Sequence, residues 1–236
     1  MPRETARYLH RLSRRFLPIR WGSLRKSTPI SQVFGFDRGK PIDRHYIENF
    51  LLRHAGDIHG RALEVTDNKY TLQFGGSQVT QSDVLHAVVG NTQSTIVGDL
   101  ATGEGVPQTA FDCIILTQTL QFIYAIKETI VQIFKSLRPG GVALVTVPGI
   151  SQISRYDMDR WGDYWRFTDA SVRRLFADVF GAENVAVTTY GNVLASCAFL
   201  HGLAAHELKQ EELDHHDPNY QVIIGIRAVR PLEHTD

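Results

Sequence analysis

"FDCIILTQTLQFIYAIKETIVQIFKSLRPGGVALVTVPG", residues 111–149, contains in order an apolar strand, an amphipathic helix and a second apolar strand. The segments FDCIILT and GVALVTVP are continuous apolar runs, which are typical of strands covered on both faces of a sheet. The helix between them is predicted by an apolar stripe at helical spacing that comprises Ile126, Ile130, Ile133, Phe134 and Leu137. This order predicts a parallel strand–helix–strand unit.

The same alternation continues on both sides of this unit. One helix is predicted at PIDRHYIENFLLRH; Pro41 is tolerated near its start, because the amide hydrogen that proline lacks would be unpaired there anyway. Another helix is predicted at DASVRRLFADVF, which Asp169 can cap. Further strands are predicted at RALEV, VLHAVV, STIVGD, NVAVTTY and YQVIIGIRAV. Strands alternating with helices favour a three-layer α/β/α fold with a mostly parallel sheet.

A sheet of this kind binds its ligand beyond the carboxyl ends of its strands. The loops that follow four of the predicted strands should therefore converge on one crevice. They contain residues 64–67, 98–100, 117–119 and 148–149.

The composition fits one α/β domain, because 236 residues with 43% hydrophobic side chains supply a sizeable core. Lys plus Arg and Asp plus Glu number 25 each, so the overall charge favours neither nucleic acid nor a membrane as a partner. Cys113 and Cys197 both lie in apolar runs, which predicts buried free thiols in a reducing, cytoplasmic compartment. We expect neither a transmembrane segment nor a secretory signal.

Residues 1–36 are interpreted as a basic arm with a possible helix, and residues 37–236 as the domain. Leu9, Leu12 and Phe16 fall at helical spacing among many arginines, against the single acidic residue Glu4. The arm either docks on anionic lipid headgroups, a nucleotide-linked substrate or an acidic partner, or is a tail without a specific role; an Arg-rich transit peptide is a third reading. Its basic residues are Arg3, Arg7, Arg11, Arg14, Arg15, Arg20, Arg25 and Lys26.

Three motifs together resemble the class I S-adenosylmethionine-dependent methyltransferases, especially the type-11 group. They are LEV at 63–65, IVGDL at 96–100 and the 111–149 unit with its L-R-P-G-G turn, and the resemblance spans roughly residues 45–230. DRGKPIDRHYIENFL and DMDRWGDYWRFT are also similar to methyltransferase-like proteins associated with bacterial glycosyltransferases. The resemblance implies a Rossmann-like, seven-stranded sheet whose last strand, YQVIIGIRAV, is antiparallel. It also implies in-line transfer of a methyl group from S-adenosylmethionine to an oxygen, nitrogen or carbon.

The cofactor residues that the resemblance implies lie in the strand-end loops. Glu64 keeps the acidic position of the first motif, but TDNKY replaces the glycine-rich loop. Asp67 and Asn68 tolerate left-handed backbone conformations, so a close turn can still form there. Asn91 stands where the family has an acidic residue for the ribose. Asp99 is expected near the adenine and Gln118 beside the methyl group. The complete predicted set is Glu64, Thr66, Asp67, Asn91, Asp99, Leu100, Thr117 and Gln118.

The segment RYDMDRWGDYWRFT, residues 155–168, interleaves aromatic and charged side chains, a composition typical of carbohydrate-binding surfaces. The alternative is a loop whose aromatic rings cover the sheet edge and whose charges pair on the surface. Asp163 is the candidate general base. Arg38 and Arg44 are expected to close over the site and hold a carboxylate or phosphate. The predicted substrate residues are Arg38, Arg44, Tyr156, Trp161, Trp165 and Arg166.

These observations predict a methyltransferase acting on a sugar hydroxyl or related polar molecule in glycan assembly. Since two of four expected cofactor contacts are altered, the alternative is an inactive module that binds a glycosyltransferase or glycan intermediate. A nicotinamide-dependent dehydrogenase is disfavoured because the first loop has no G-x-G-x-x-G. No metal site is predicted, since the neighbours His215, His216 and Asp217 point different ways and read as a turn.

Overall fold

The computed structural model describes residues 22–232, in which seven strands form one sheet of order β3-β2-β1-β4-β5-β7-β6. β7 is antiparallel to both of its neighbours, and the other strand pairs are parallel. This confirms the predicted fold class and the antiparallel last strand. The strands are β1 Gly60–Val65, β2 Val79–His86, β3 Ile96–Val97, β4 Phe111–Thr117, β5 Leu137–Pro148, β6 Val185–Tyr190 and β7 Ile223–Val229.

Helices cover both faces of the sheet, as the continuous apolar strands require. Ile114 and Leu116 of β4 pack in one core cluster, whereas Cys113 and Ile115 pack in the other, because successive strand residues point to opposite faces. α2 and α4 bury their apolar stripes in the first cluster, and α1 and α5 bury theirs in the second. The helices are α1 Ile42–Arg53, α2 Ile126–Ser136, α3 Arg155–Met158, α4 Asp169–Phe180, α5 Val193–Leu200 and α6 Gln210–Asp214.

Several element boundaries differ from the sequence-based expectation, among them the end of β2 and the cap of α4. β2 ends at His86, and the residues Val88 and Val89 that extended the predicted strand are exposed. Thr168 rather than Asp169 caps α4: its side chain accepts a hydrogen bond from the amide of Ser171 at 3.2 Å. The side chain of Asp169 instead accepts a hydrogen bond from Gln221.

The L-R-P-G-G segment forms an irregularity inside β5 and not a turn before it. Leu137 pairs with Phe111, and the next pair is Val142 with Cys113, so the intervening residues bulge out of the ladder. Gly140 has a φ of +81° in this bulge, a conformation that favours glycine.

The described part of the basic arm packs on the domain. The amides of Ile30 and Ser31 donate to the carbonyl of His201 at 2.8 and 3.1 Å, and the ring of Phe34 lies 6.1 Å from that of Phe199. The predicted amphipathic pattern at residues 9–16 lies outside the described residues. Between residues 22 and 232, no helix is long and apolar enough to cross a membrane.

Candidate active site

A cavity of about 940 Å³ opens at the carboxyl ends of β1, β2 and β4. Three of the four loops predicted to converge there line it, and its size lies in the range of small-molecule sites. One further wall comes from the start of α1 and the residues before it, and another from the segment after β5. Of the predicted residues, those that line the cavity are Arg44, Glu64, Thr66, Asp67, Asp99, Leu100, Thr117, Gln118 and Trp161.

Glu64 at the end of β1 braces the loop that replaces the glycine-rich motif. Its buried carboxylate accepts hydrogen bonds from the amide of Thr71 at 2.8 Å, from the Thr71 hydroxyl at 2.8 Å and from the amide of Tyr70 at 3.3 Å. Burial raises the pKa of Glu64 to about 7, against the lowering effect of these bonds. The acidic residue therefore fixes the start of the helical turn at Thr71–Gly75.

Thr66, directly after β1, has a φ of +78°. Its amide donates to the carbonyl of Leu85 at 3.0 Å, and its own carbonyl accepts from Asn91 Nδ2 at 2.8 Å. Asp67 and Asn68, which tolerate a left-handed conformation, do not adopt it here, since neither has a positive φ. The loop therefore keeps a left-handed residue at the strand end, but a β-branched side chain adopts it.

Asn91 does not line the cavity, although it was predicted to stand in for the ribose-binding acid. β2 ends at His86, three residues before the predicted end at Val89, so His86 and Ala87 occupy the strand end and line the cavity. The Asn91 amide is engaged locally: Nδ2 donates to Thr66, and Oδ1 accepts from the amide of Gln93 at 2.9 Å. Asn91 thus supports the first loop.

Asp99 and Gln118 line the cavity from two further strand ends. Asp99 Oδ1 accepts from the amide of Ala101 at 2.7 Å. Gln118 has a φ of +50°, its amide donates to the carbonyl of Thr146 at 2.9 Å, and its carbonyl accepts from Gln121 Nε2 at 2.9 Å. Among the described residues, Gln118 Nε2 is buried without a hydrogen-bond partner.

Arg44 and Arg38 have different environments. The guanidinium of Arg44 lines the cavity, donates to the hydroxyl of Tyr70 at 3.2 Å and lies 5.9 Å from the centre of the Phe36 ring. It forms no ion pair within residues 22–232. Arg38 lies outside the lining, and the Nε and Nη2 of its guanidinium donate to the two carboxylate oxygens of Glu207. Of these two arginines, Arg44 is the one that lines the cavity.

Asp163, the predicted general base, is held in an ion pair with Arg166. Its carboxylate is buried, accepts two hydrogen bonds from Arg166, at 2.5 and 2.9 Å, and a third from the amide of Ser154 at 3.0 Å. Neither Asp163 nor Arg166 lines the cavity. The guanidinium of Arg166 also donates to the carbonyls of Gln152 and Trp165. This pair holds the segment after β5 in shape and lies outside the cavity lining.

The aromatic residues of that segment divide into two groups. Trp161 and Tyr164 line the cavity; Trp161 lies edge-on to His86 at 6.1 Å, and Tyr164 lies edge-on to Tyr124 at 5.4 Å. Outside the lining, Trp165 stacks on Tyr124, and Tyr156 lies on the surface beneath the guanidinium of Arg160. The segment thus divides into aromatic side chains that line the cavity and aromatic side chains that pack outside it.

Several lining residues were missed by sequence analysis. Lys69 and Tyr70 follow directly after the predicted loop residues, whereas His86 was assigned to a strand interior. Asp157 and Tyr164 were counted only as members of the aromatic segment. The missed polar and aromatic lining residues are Phe36, Lys40, Glu48, Lys69, Tyr70, Gln73, His86, Phe122, Tyr124, Asp157 and Tyr164.

The histidine pair near the last strand lies apart from this cavity. His216 Nε2 lies 2.7 Å from the Thr189 hydroxyl, and Asp217 accepts from the amide of Asn219 in a turn. Across residues 22–232, no group of three or more His, Cys, Asp or Glu side chains is arranged to hold a metal ion.

The sheet order, its antiparallel strand and a cavity at the carboxyl ends of β1, β2 and β4 define the Rossmann-like class I methyltransferase fold. The chain belongs to the methyltransferase-domain family, whose model matches residues 32–185. Family membership confirms the predicted class of enzyme. No curated protein matches the chain in sequence.

Solved structures with the same fold are distant in sequence. Phosphoethanolamine N-methyltransferase 2 of Haemonchus contortus, in complex with S-adenosyl-L-methionine, is 12% identical at a TM-score of 0.50; the match covers 85% of this chain but only 60% of that one. A SAM-dependent methyltransferase from Archaeoglobus fulgidus is 11% identical at 0.52, with 79% and 94% covered. The N-methyltransferase NodS of Bradyrhizobium japonicum WM9, in complex with S-adenosyl-l-homocysteine, is 12% identical at 0.52, with 86% and 95% covered. At such identities the likeness shows the fold.

Proposed function

We propose that this chain is an S-adenosylmethionine-dependent methyltransferase that acts on a hydroxyl of a sugar or another polar small molecule. The observation that carries the proposal is the strand-end cavity in a chain of the methyltransferase family. S-adenosylmethionine supplies an activated methyl group on a sulfonium centre. The chain itself supplies binding, orientation and exclusion of water.

The residues of the cavity fit this cofactor. Arg44 offers a half-buried guanidinium to a carboxylate, and it donates a hydrogen bond to the Tyr70 hydroxyl. Glu48 and Asp67 also line the cavity, where their carboxylates pair with Lys40 and Lys69 and could exchange these partners for an ammonium group. Thr66 keeps the left-handed turn at the end of β1 although the glycines are missing. These features favour an active enzyme over the alternative of an inactive module.

Proton transfer at this site needs an acceptor other than Asp163. His86 and Asp157 both line the cavity, and His86 lies beside Trp161. The Nδ1 of His86 is 2.8 Å from the carbonyl of Val88; if it donates there, Nε2 is left as the basic nitrogen. We therefore assign His86 as the first candidate for the general base.

A sugar acceptor is supported by the aromatic rim of the cavity. Tyr124, Trp161 and Tyr164 are 71%, 41% and 51% exposed, respectively, and all three line the opening. Aromatic faces stack on the apolar faces of sugar rings, and the neighbouring Asp157 can accept hydrogen bonds from hydroxyl groups. A role in glycan biosynthesis is part of this proposal.

The proposal extends to partners and location. The resemblance of the segments around α1 and α3 to proteins associated with glycosyltransferases supports a glycosyltransferase partner in the cytoplasm. The basic residues of the N-terminal arm support a contact with anionic lipid headgroups at a membrane surface. Co-purification of the full chain with and without residues 1–21 tests both contacts.

The test of the activity is calorimetric titration with S-adenosylmethionine and S-adenosylhomocysteine. We expect micromolar binding, about 8 kcal/mol. Asp99→Asn should weaken it roughly tenfold through the loss of a charged acceptor. The matched control is Asp159→Asn, an exposed carboxylate 3.9 Å from Arg155 and outside the cavity, which should leave binding unchanged. Folded protein that gives no heat and no thermal stabilisation would support the inactive module.

A positive titration is followed by transfer of labelled methyl groups to a panel of sugars. His86→Gln should lower the rate of methyl transfer, while cofactor binding stays unchanged. A variant that loses cofactor affinity instead would place His86 at the cofactor.

A further inference from the structure

Four large apolar side chains are exposed on the loops at the mouth of the cavity. Val88 and Val89 follow the end of β2, and Ile153 and Tyr156 follow the end of β5. They are between 48% and 85% exposed, and none of these four lines the cavity. We call them the apolar collar. Single exposed apolar residues are common on protein surfaces, so the feature to explain is their placement around one opening.

The two loops of the apolar collar lie next to each other. They meet where His86 and Trp161, which both line the cavity, lie edge-on at 6.1 Å. On one side, Nδ1 of His86 is 2.8 Å from the carbonyl of Val88. On the other side, the amide of Trp161 donates at 2.7 Å to the carbonyl of Asp157, the residue after Tyr156. Both loops therefore border the same opening.

The basic arm joins the domain beside the apolar collar. Nε2 of Gln152, the residue before Ile153, lies 3.5 Å from the carbonyl oxygen of Gln32. Val33, the next residue of the arm, is also exposed. Since six residue steps separate Lys26 from Gln32, the two lie at most about 22 Å apart. The described end of the arm thus holds its charges near the mouth.

The charges of this region favour an anionic surface. Around the collar, Arg155 and Arg160 are balanced by Asp157 and Asp159, but residues 1–26 carry eight Lys and Arg against one acidic residue. Anionic lipid headgroups attract such polybasic segments. Apolar side chains and aromatic rings insert at the boundary beneath the headgroups, and the two contributions add. A nucleic acid would satisfy the arm but leave the apolar collar without a partner.

We propose that the apolar collar inserts into an anionic membrane surface while the basic arm binds the neighbouring headgroups, so that the cavity opens toward the lipid. This goes beyond a contact of the arm alone. One part rests on the proposed methyltransferase function: the methyl acceptor is then the hydroxyl-bearing polar head of a lipid, which enters the cavity from the membrane.

The test is sedimentation of the full chain with vesicles of phosphatidylcholine alone or of phosphatidylcholine mixed with phosphatidylglycerol. Val89→Asp and Ile153→Asp change the apolar collar, and deletion of residues 1–21 removes most of the basic charge of the arm. The matched control is Leu232→Asp, because Leu232 is 71% exposed but lies beside Gly140 at the amino end of β5. Thermal unfolding checks that every variant is folded.

We expect the parent protein to bind the mixed vesicles at least about tenfold more tightly than phosphatidylcholine alone. Val89→Asp and Ile153→Asp should each weaken this binding about fivefold, and Leu232→Asp should change it less than about twofold. Deletion of residues 1–21 should weaken binding about tenfold or more, and added salt should act in the same direction.

Three results would overturn the docking surface. The parent protein does not bind the mixed vesicles, as an acidic protein partner of the arm would imply. It binds both kinds of vesicle equally, so that charge plays no part. Val89→Asp and Ile153→Asp bind as tightly as the parent protein does, which would leave the arm as the sole contact.

The acceptor is tested with labelled S-adenosylmethionine and the lipid and aqueous extracts of one batch of cells. We expect label in the lipid phase, incorporated more slowly by Val89→Asp in the presence of mixed vesicles, while its affinity for S-adenosylhomocysteine stays unchanged. Label confined to the aqueous phase, or absent although the cofactor binds, would overturn the lipid acceptor. If the parent protein binds vesicles but no cofactor, the proposed function fails and the docking surface stands.

Discussion

Thr66 carries the backbone conformation that a glycine-rich loop normally supplies. A β-branched residue at a φ of +78° is sterically disfavoured, and the hydrogen bonds to Leu85 and from Asn91 enforce it. Replacement by glycine should remove the clash without moving the loop.

We predict that Thr66→Gly stabilises the fold by about 1 kcal/mol, because the relief of the left-handed conformation exceeds the added entropy of the unfolded chain. Urea unfolding measures this gain in the free energy of unfolding, and the slope of that free energy against urea concentration should stay unchanged. Thr66→Ala, which keeps a Cβ, should gain less stability than Thr66→Gly does. A loss of stability in Thr66→Gly would show that the side chain contributes more than the strain costs.

The raised pKa of Glu64 predicts that the stability of the fold decreases as the pH rises. Burial raises its pKa in the folded protein to about 7, above its ordinary value, so the folded state binds the proton more tightly than the unfolded chain does. The contribution of Glu64 is complete below about pH 4.5 and is lost as the pH rises through about 7, a change of roughly 3 kcal/mol. Chemical unfolding from pH 4.5 to 8 measures it, and Glu64→Gln should remove this decrease. If the stability of Glu64→Gln decreases with pH as steeply as that of the parent protein, another group causes the effect.

At the scale of elements, the segment between β5 and α4 depends on the buried pair of Asp163 and Arg166. The guanidinium of Arg166 donates to the carbonyls of Ser151 and Gln152 and pairs with the carboxylate of Asp163. One side chain therefore connects the start of the segment to its end. The segment in turn places Trp161 and Tyr164 at the cavity.

Asp163→Ala should therefore destabilise the protein by about 3 kcal/mol, since it leaves the guanidinium without its partner. Thermal unfolding measures the loss, and faster amide exchange in residues 150–168 locates it. The control is Asp178→Ala, which removes an exposed ion pair with Arg174 and should cost less than about 1 kcal/mol. If Asp163 acted as a base, its loss would abolish methyl transfer without this change in exchange.

Element boundaries also explain where sequence analysis failed. The apolar run VLHAVV suggested a strand reaching Val89, but pairing with β3 and β1 ends by His86, and the prediction at Asn91 was displaced with it. Similarly, Asp169 resembled a helix cap, whereas the capping box uses Thr168 and Ser171. The errors are three residues at the end of β2 and one residue at the start of α4, and both fall at an element end, where apolar pattern carries little information.

At the scale of the whole molecule, the sheet, its two helical layers and the position of the cavity could be predicted from the sequence. Continuous apolar strands and alternating helices define the layers, and the carboxyl-end rule locates the site. Pairings between distant residues could not be predicted. Arg38 is engaged by Glu207, far along the chain, and no local pattern distinguishes it from Arg44, which lines the cavity.

The position of β7 between β5 and β6 has a consequence for synthesis of the chain. β6 pairs with β7, and β5 presents an open edge on that side until residues 223–229 are available. A nascent chain that has released β6 from the ribosome therefore carries an unpaired strand and an exposed edge, both of which are prone to intermolecular pairing. Chaperone binding should concentrate in this interval of translation, and a stop codon just before residue 223 should give aggregates in place of a smaller soluble enzyme.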